Sequence, residues 1–168
     1  MNLAAPSVRV LVCGSGDRGD DGAALNAVAH VLPRLEADLR QRVEIRRCPQ
    51  LDAADLIDVA DGEACLVLDT VIGVEPGSIV EISLDELLRM EAAAPRSSHA
   101  MPIVQVLGIA EAVRGQLPRG LLVGIGGKWF GFGQTRSRAL RGGMDAFESA
   151  IESAIRELAE PVHIGARP

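Results

Sequence analysis

The sequence predicts an α/β protein, a three-layer α/β/α sandwich with a mostly parallel central sheet. Short apolar runs alternate with segments whose apolar residues recur at helical spacing, the pattern of strands joined by crossover helices. Hydrophobic residues make up 48% of the chain but aromatic residues only 2%, so Ala, Val, Leu and Ile must build the core. That composition suits parallel strands covered on both faces. With no repeat or linker, residues 1–168 are predicted to form one domain.

The predicted strands differ in how deeply their residues should be buried. Three of them are continuous apolar runs, which are typical of central strands. Of the other two, one alternates and has one solvent-facing side, and one follows the Pro-Gly turn of Glu75-Pro76-Gly77. In chain order the five strands are Val8–Cys13, Arg42–Arg47, Ala64–Asp69, Ser78–Ile82 and Gly120–Ile125.

Helical segments separate these strands. The first, Asp20–Leu39, has apolar residues at helical spacing but contains Pro33, which should kink or shorten the helix. Ser97 or Ser98 can cap a later helix that runs from about Met101 to Arg114. The remaining predicted helices are Leu51–Val59, Leu84–Glu91 and Ser137–Leu158, the last with an apolar stripe at Met144, Phe147, Ile151, Ile155 and Leu158.

Charge and hydropathy exclude two classes of partner. The formal net charge is −6, which repels a phosphate backbone, so we expect no nucleic acid partner. The only basic stretch, Arg136–Arg141, is short and is interpreted as a solvated helix start. No apolar run approaches the roughly 20 residues that span a bilayer, so we expect no membrane association.

The cysteines and the start of the chain indicate a cytoplasmic protein. Residues Met1 to Pro6 lack the charged and apolar regions of an export signal. Cys13, Cys48 and Cys65 are odd in number and widely spaced, without a C-x-x-C pair. We therefore expect buried, unpaired thiols in a reducing compartment.

Three polar segments are predicted to meet at the carboxyl edge of the sheet. Gly14–Gly22 directly follows the first strand, Asp69-Thr70 ends the third, and Ser97-Ser98-His99 opens a helix. In parallel α/β sheets, functional residues gather at this edge. These segments are therefore the first place to look for chemistry.

A metal-binding interpretation follows from the convergence of Asp21, Asp69 and His99. Each residue also has a structural explanation. A carboxylate in the first turn of a helix interacts favourably with the helix dipole. This interaction is enough to explain Asp20, and for Asp21 it is about as good an explanation as a functional role. Asp69 can bond the following loop, and a lone histidine is more often structural than functional. Together, however, two carboxylates and one imidazole suit zinc, nickel or a similar first-row metal. No nucleophile or general base is identified.

A dinucleotide site is the main alternative, because Gly14–Gly19 is a complete G-x-G-x-x-G after a strand. Asp20 and Asp21 oppose it, since they would repel phosphates at the helix start. Arg46 and Arg47 stand where an NAD site needs an acid, although they suit the 2′-phosphate of NADP. A nucleotide-binding Rossmann-like module therefore stays open. The sequence contains neither G-x-S-x-G nor H-E-x-x-H.

Taken in order, these segments resemble the hydrogenase maturation protease family. The matching segments are Gly14-Ser15-Gly16-Asp17, Asp20-Asp21-Gly22, Leu66–Asp69, Glu75-Pro76-Gly77, Ser97-Ser98-His99, Leu121–Gly126 and Phe132–Ala139. The chain departs from the family pattern in its first loop, which is shorter and has Asp17 in place of the customary Asn. It also has Gly126-Gly127-Lys128-Trp129 where the family has Glu-Pro after the late Gly-Ile.

The resemblance implies a monomeric endopeptidase that removes the C-terminal extension of a nickel–iron hydrogenase large-subunit precursor. It further implies that the substrate's nickel is the recognition element and that Asp21, Asp69 and His99 contact it. A relative that docks on the hydrogenase without cutting it is a third possibility.

Overall fold

A twisted mixed sheet forms the middle layer of the computed structural model, which describes residues 7–90, 94–97, 101–133 and 135–161. Its strands are β1 (Val8–Cys13), β2 (Val43–Cys48), β3 (Ala64–Ile72), β4 (Ile79–Ser83), β5 (Arg96–Ser97) and β6 (Gly120–Gly126). The main strand order is β2-β1-β3-β6-β4, with β5 pairing only with β3. β1, β2, β3 and β6 are parallel to one another, while β4 and β5 are antiparallel to their neighbours. The predicted mostly parallel sheet is confirmed.

The helices are α1 (Ala23–Val31), α2 (Ala37–Arg40), α3 (Ala53–Ile57), α4 (Leu84–Met90), α5 (Ile103–Arg114) and α6 (Arg138–Ala159). The expected effect of Pro33 is confirmed, because α1 ends before a 3-10 turn at Leu32–Arg34 and the backbone is extended at Leu35. Proline lacks the N–H that a continuing helix would need. None of the described helices is long and apolar enough to cross a membrane.

Two hydrophobic cores, one on each face of the sheet, confirm the three-layer architecture. Along β3, Leu66 and Leu68 point towards α1 and α6, whereas Cys65 and Val67 point towards α3, α4 and α5. This alternation is the two-residue period of a strand. The predicted apolar stripe of α6 packs into the first core. All three cysteines are buried and free, as predicted.

Two predictions about the carboxyl edge of the sheet are wrong. β3 does not end at Asp69 but continues to Ile72, because β6 and β5 supply partners for its last residues. Its ladder with β1 does end at Leu68, so Asp69 is the first residue of β3 beyond that neighbour. Ser97 lies in β5 and does not cap α5, whose N-cap is Pro102. Ser98 lies outside the described residues.

Arginines cover the helix ends at the amino edge of the sheet. Arg114 donates to the carbonyls of Ile57 (2.9 Å) and Val59 (2.6 Å) after α3. Arg42 and Arg119 both donate to carbonyls at the end of α6. For Arg119 the acceptors are Glu157 (3.0 Å), Leu158 (3.2 Å) and Glu160 (3.1 Å), and for Arg42 the acceptor is Ala159. These bonds satisfy carbonyls that a helix leaves unpaired at its C-terminus.

Candidate active site

The loop after β1 folds back over the end of that strand. Gly14 has φ +110°, and a Cβ at this position would overlap the Asp21 carbonyl oxygen, so only glycine fits here. The Asp21 carboxylate accepts a hydrogen bond from the Ser15 backbone N–H at 2.9 Å and is buried. Residues Gly19–Gly22 form a 3-10 turn that leads into α1. The loop thus places Asp21 directly above the carboxyl end of β1.

Asp69 lies on the neighbouring strand at the same edge. It is 1% exposed, and its Oδ1 accepts a hydrogen bond from the Thr70 backbone N–H at 2.8 Å. This local bond is the one that a purely structural role predicts. The Thr70 hydroxyl donates to the Asp20 carbonyl oxygen, also at 2.8 Å. The strand that carries Asp69 is therefore joined to the turn that carries Asp21.

Asp20 has a larger role than the helix-dipole interaction assigned to it from the sequence. Its Oδ2 accepts from the Lys128 N–H (2.8 Å), the Trp129 N–H (3.0 Å) and the Ser137 hydroxyl (2.7 Å), and its Oδ1 accepts from the Ser137 N–H (2.7 Å). Burial raises the pKa of Asp20, but these four hydrogen bonds outweigh it, so the pKa is held below its usual value of 3.8. Asp20 thus connects the first loop to the segment between β6 and α6.

No local pattern in the sequence could have identified these partners of Asp20. They lie more than a hundred positions further along the chain. Asp20 and Asp21 are identical residues at adjacent positions. In the structure, however, the Asp20 carboxylate faces the β6–α6 segment and the Asp21 carboxylate faces the end of β1. The available signal was the pair of acids between glycines, which is compatible with either role for either residue.

His99, the third predicted metal ligand, lies outside the described residues. Within the described ranges, no group of three His, Cys, Asp or Glu side chains could hold a metal ion. The structure therefore brings Asp21 and Asp69 to one edge of the sheet, and the three-residue site stays a prediction. Two buried carboxylates on neighbouring segments can offer oxygen ligands to a cation that another molecule carries.

The buried thiols do not provide a nucleophile. Cys13 pairs in register with Cys48 across β1 and β2. The hydrogen bond with the Cys48 thiol, burial and the charge of Asp69 together raise the pKa of Cys13 well above its usual value. A thiol in this state is protonated at neutral pH and reacts poorly. The pKa of Cys65 is raised to about 12, chiefly by burial.

Gly14, Gly19 and Gly22 of the first loop make room for the chain itself rather than for a nucleotide, whereas Gly16 faces open space. A Cβ at Gly19 would overlap the Trp129 indole, and one at Gly22 would lie 3.1 Å from the Gly16 Cα. The turn where a pyrophosphate would rest holds the buried Asp20 and Asp21. This geometry disfavours the nucleotide-binding alternative.

The fold and the buried acids place the chain among α/β/α proteins whose chemistry is at the carboxyl edge of a mostly parallel sheet. The profile of the hydrogenase maturation protease family matches residues 52–156, which is more than half of the chain, and the chain belongs to this family. It is therefore a peptidase of the hydrogenase-maturation class. The matched range includes Asp69 but not Asp20 or Asp21. No curated protein sequence matches the chain.

Solved structures of the same class share the fold. The hydrogenase maturating endopeptidase HybD from E. coli has a TM-score of 0.69 at 16% identity, covering 90% of this chain and 93% of its own. HybD from Thermococcus kodakarensis has a TM-score of 0.63 at 20% identity, covering 88% and 97%. HycI from Thermococcus kodakarensis KOD1 has a TM-score of 0.64 at 17% identity, covering 89% and 92%. At these identities the likeness establishes the fold.

Proposed function

We propose that this protein is the endopeptidase that removes the C-terminal extension of a nickel–iron hydrogenase large-subunit precursor. The nickel already bound in the precursor is the element that it recognises. The observation that carries this proposal is the burial of Asp21 and Asp69 at one edge of the sheet, joined through the Thr70–Asp20 hydrogen bond, in a chain of the maturation protease family.

Asp21 and Asp69 are suited to complete the coordination shell of a nickel ion that the substrate brings. The Ser15 N–H orients one carboxylate and the Thr70 N–H orients the other. Ligands oriented before binding lose little conformational freedom when the metal arrives. An ionised carboxylate has acceptor oxygens and no donor, which is what a cation requires of its ligands.

His99 is the proposed third ligand. Ser97, two positions before it, pairs with Val71, two positions after Asp69. Ser97 therefore lies at the same edge of the sheet as the two acids, which supports the inclusion of His99. An imidazole nitrogen with two carboxylate oxygens is a ligand set that suits nickel.

Recognition of nickel would assist catalysis by positioning the scissile peptide of the precursor. A precursor held through its metal presents the scissile peptide in a constant register, so that cleavage gains the advantage of proximity and orientation. The bound cation also polarises a peptide carbonyl or a water molecule close to it. The protein acts on the precursor as a monomer in this proposal.

The test is incubation of purified nickel-loaded precursor with the full chain, followed by mass measurement of the large subunit. The wild type should release the extension, and nickel-free precursor should remain intact. His99→Ala, Asp21→Asn and Asp69→Asn should each abolish cleavage. Matched controls are His30→Ala and Asp61→Asn, at two exposed side chains on other surfaces, and both should cut like the wild type.

Three results would contradict the proposal. Wild-type processing by His99→Ala would remove this residue from the site. Stable binding of the precursor without any cleavage would favour a docking relative that does not cut. Tight binding of NADP(H) in a titration would favour the nucleotide-binding module.

A further inference from the structure

The segment between β6 and α6 concentrates the aromatic residues of the chain. The sequence has one Trp, three Phe and no Tyr, and Trp129, Phe130 and Phe132 fall within four consecutive positions. Trp129 is 53% exposed and Phe132 is 83% exposed. Arg18, from the first loop, lies over the Phe132 ring with its guanidinium carbon 5.0 Å from the ring centroid. We call the surface formed by Arg18, Lys128, Trp129 and Phe132 the aromatic lip.

Hydrogen bonds from the first loop hold the backbone of the aromatic lip in place. Asp20 binds the backbone N–H groups of Lys128 and Trp129. Trp129 O accepts from the Asp20 N–H at 2.8 Å, and Gly133 O accepts from the Gly19 N–H at 2.7 Å. The Trp129 indole packs over Gly19 and Gly131, where a Cβ would overlap the ring. One side of the indole is thus supported while the ring remains half-exposed.

Exposed rings on such a supported loop indicate a contact surface. Leaving two large aromatic side chains in water forgoes hydrophobic stabilisation, and adjacent exposed rings are typical of binding surfaces. Tryptophan and arginine are also the residues that most often dominate binding energy at interfaces. The aromatic lip is continuous with the candidate site, because Asp20 binds the lip and precedes Asp21 directly.

The charge of the aromatic lip identifies the chemistry of its partner. The chain carries a net charge of −6, yet the lip presents the cations Arg18 and Lys128, and Lys128 is the only lysine in the sequence. Arg136 and Arg138 follow at the start of α6. Exposed rings beside cations are complementary to a segment that combines apolar and acidic side chains.

We propose that the aromatic lip docks an acidic, apolar segment of the polypeptide substrate and thereby sets specificity. This inference rests on the proposed function, so the docked polypeptide is the hydrogenase large-subunit precursor. Its nickel would bind at Asp21 and Asp69, and the neighbouring polypeptide would lie against Trp129 and Phe132. The aromatic lip is therefore a substrate-binding surface and takes no part in bond cleavage.

Kinetics of single variants test this assignment. Phe132→Ser and Trp129→Ala should each raise the Kd for the nickel-loaded precursor, and the KM for its cleavage, by about tenfold with little change in kcat. The matched control is Val113→Ser, at an apolar side chain of α5 that is 64% exposed. This control should bind and cut like the wild type. Unchanged melting temperatures of the exposed-site variants exclude loss of folding as the cause.

The outcomes separate the two levels of the proposal. If the wild type cuts the precursor and the lip variants bind and cut equally well, the docking surface is wrong and the protease function stands. A fall in kcat at constant KM would also overturn the docking assignment. If the wild type neither binds nor cuts the precursor, the proposed function fails, and the aromatic lip inference fails with it.

The unique Trp129 and Lys128 allow two direct measurements in the complex. Protein labelled with 5-fluorotryptophan has a single ¹⁹F resonance, which should shift when precursor is added. A carbodiimide should join the Lys128 amine to a carboxylate of the precursor, with the N-terminal amine as internal reference. A complex that forms without a ¹⁹F shift, or without any Lys128 cross-link, would contradict the proposed contact.

Discussion

The two edges of the sheet are closed by side chains of opposite charge. At the amino edge, Arg42, Arg114 and Arg119 donate to carbonyls at the ends of α3 and α6. At the carboxyl edge, Asp20 and Asp21 accept from backbone N–H groups. Because helices run opposite to the parallel strands they connect, their carbonyl ends collect at the amino edge and their N–H ends at the other.

The two edges differ in whether their charged side chains have a role beyond hydrogen bonding to backbone groups. The arginines of the amino edge have long side chains whose guanidinium groups reach carbonyls at the helix ends. These hydrogen bonds are sufficient to explain where the arginines lie. At the carboxyl edge Asp20 has the same role, with four hydrogen bonds to the distant β6–α6 segment, whereas Asp21 and Asp69 accept from the nearby Ser15 and Thr70 N–H groups. Asp21 and Asp69 are buried beside it and are the residues proposed for chemistry. The amino edge stabilises the fold, and we propose that the carboxyl edge combines stability with function.

The largest expected effect separates function from stability at the carboxyl edge. Asp69→Asn keeps an oxygen that can accept from the Thr70 N–H but removes the charge that a metal needs. We expect kcat/KM for precursor cleavage to fall at least about 100-fold, roughly 2.7 kcal/mol of transition-state stabilisation, with little change in melting temperature. Single-turnover cleavage and thermal unfolding measure the two quantities. Near-normal cleavage would show that Asp69 is structural only.

Asp20→Asn should have the next largest effect, which we expect on the stability of the fold rather than on cleavage. The amide offers one acceptor oxygen where the carboxylate has two, and its NH2 group faces the donors of the β6–α6 segment. We expect the free energy of unfolding to fall by about 2 kcal/mol, measured by urea denaturation. Asp61→Asn is the exposed control and should leave it unchanged. Equal stability of both variants would mean that the Asp20 bonds are dispensable.

The pH dependence of the stability difference between wild type and Asp20→Asn tests the structural role of the ionised Asp20 carboxylate. Because the pKa of Asp20 in the folded state lies below its usual value of 3.8, its ionised form stabilises the fold above that pH. The stability difference between wild type and Asp20→Asn should therefore be constant from about pH 5 to pH 8. It should shrink as the pH falls below about 3.8. Denaturation curves at a series of pH values check this, and a difference that grows on acidification would contradict it.

The smallest expected effect is at the amino edge. Arg119→Ala removes three bonds to carbonyls at the end of α6, but the side chain is exposed, so water compensates in part. We expect a loss of about 1 kcal/mol in the free energy of unfolding and an unchanged kcat/KM. Arg47→Ala, at an exposed arginine of β2, is the matched control and should change neither quantity. A loss of cleavage in Arg119→Ala would break the division of roles between the edges.

Much of the fold followed from local signals. The apolar run Val8–Cys13 is β1 without any change in its bounds, and Pro33 stops α1 as proline chemistry requires. Four residues of the predicted α6 stripe are buried, and the fifth, Met144, is partly buried against the same core. The carboxyl end of β3 was missed because an extra strand, β5, pairs with its last residues, whereas its start at Ala64 was predicted. A short two-residue partner leaves no periodic trace in a sequence.

The amino-acid sequence alone determined the layers, the strand before the Asp21 loop, the strand that carries Asp69, and the edge of the sheet at which these acids gather. These properties follow from hydrophobic period and from the geometry of parallel strands, both of which are local or general. Only the tertiary structure decided that Asp20 binds the β6–α6 segment while Asp21 turns to the end of β1. It also decided that Trp129 and Phe132 stay exposed at this edge. The contacts of Asp20 join residues more than a hundred positions apart, and no local pattern encodes them.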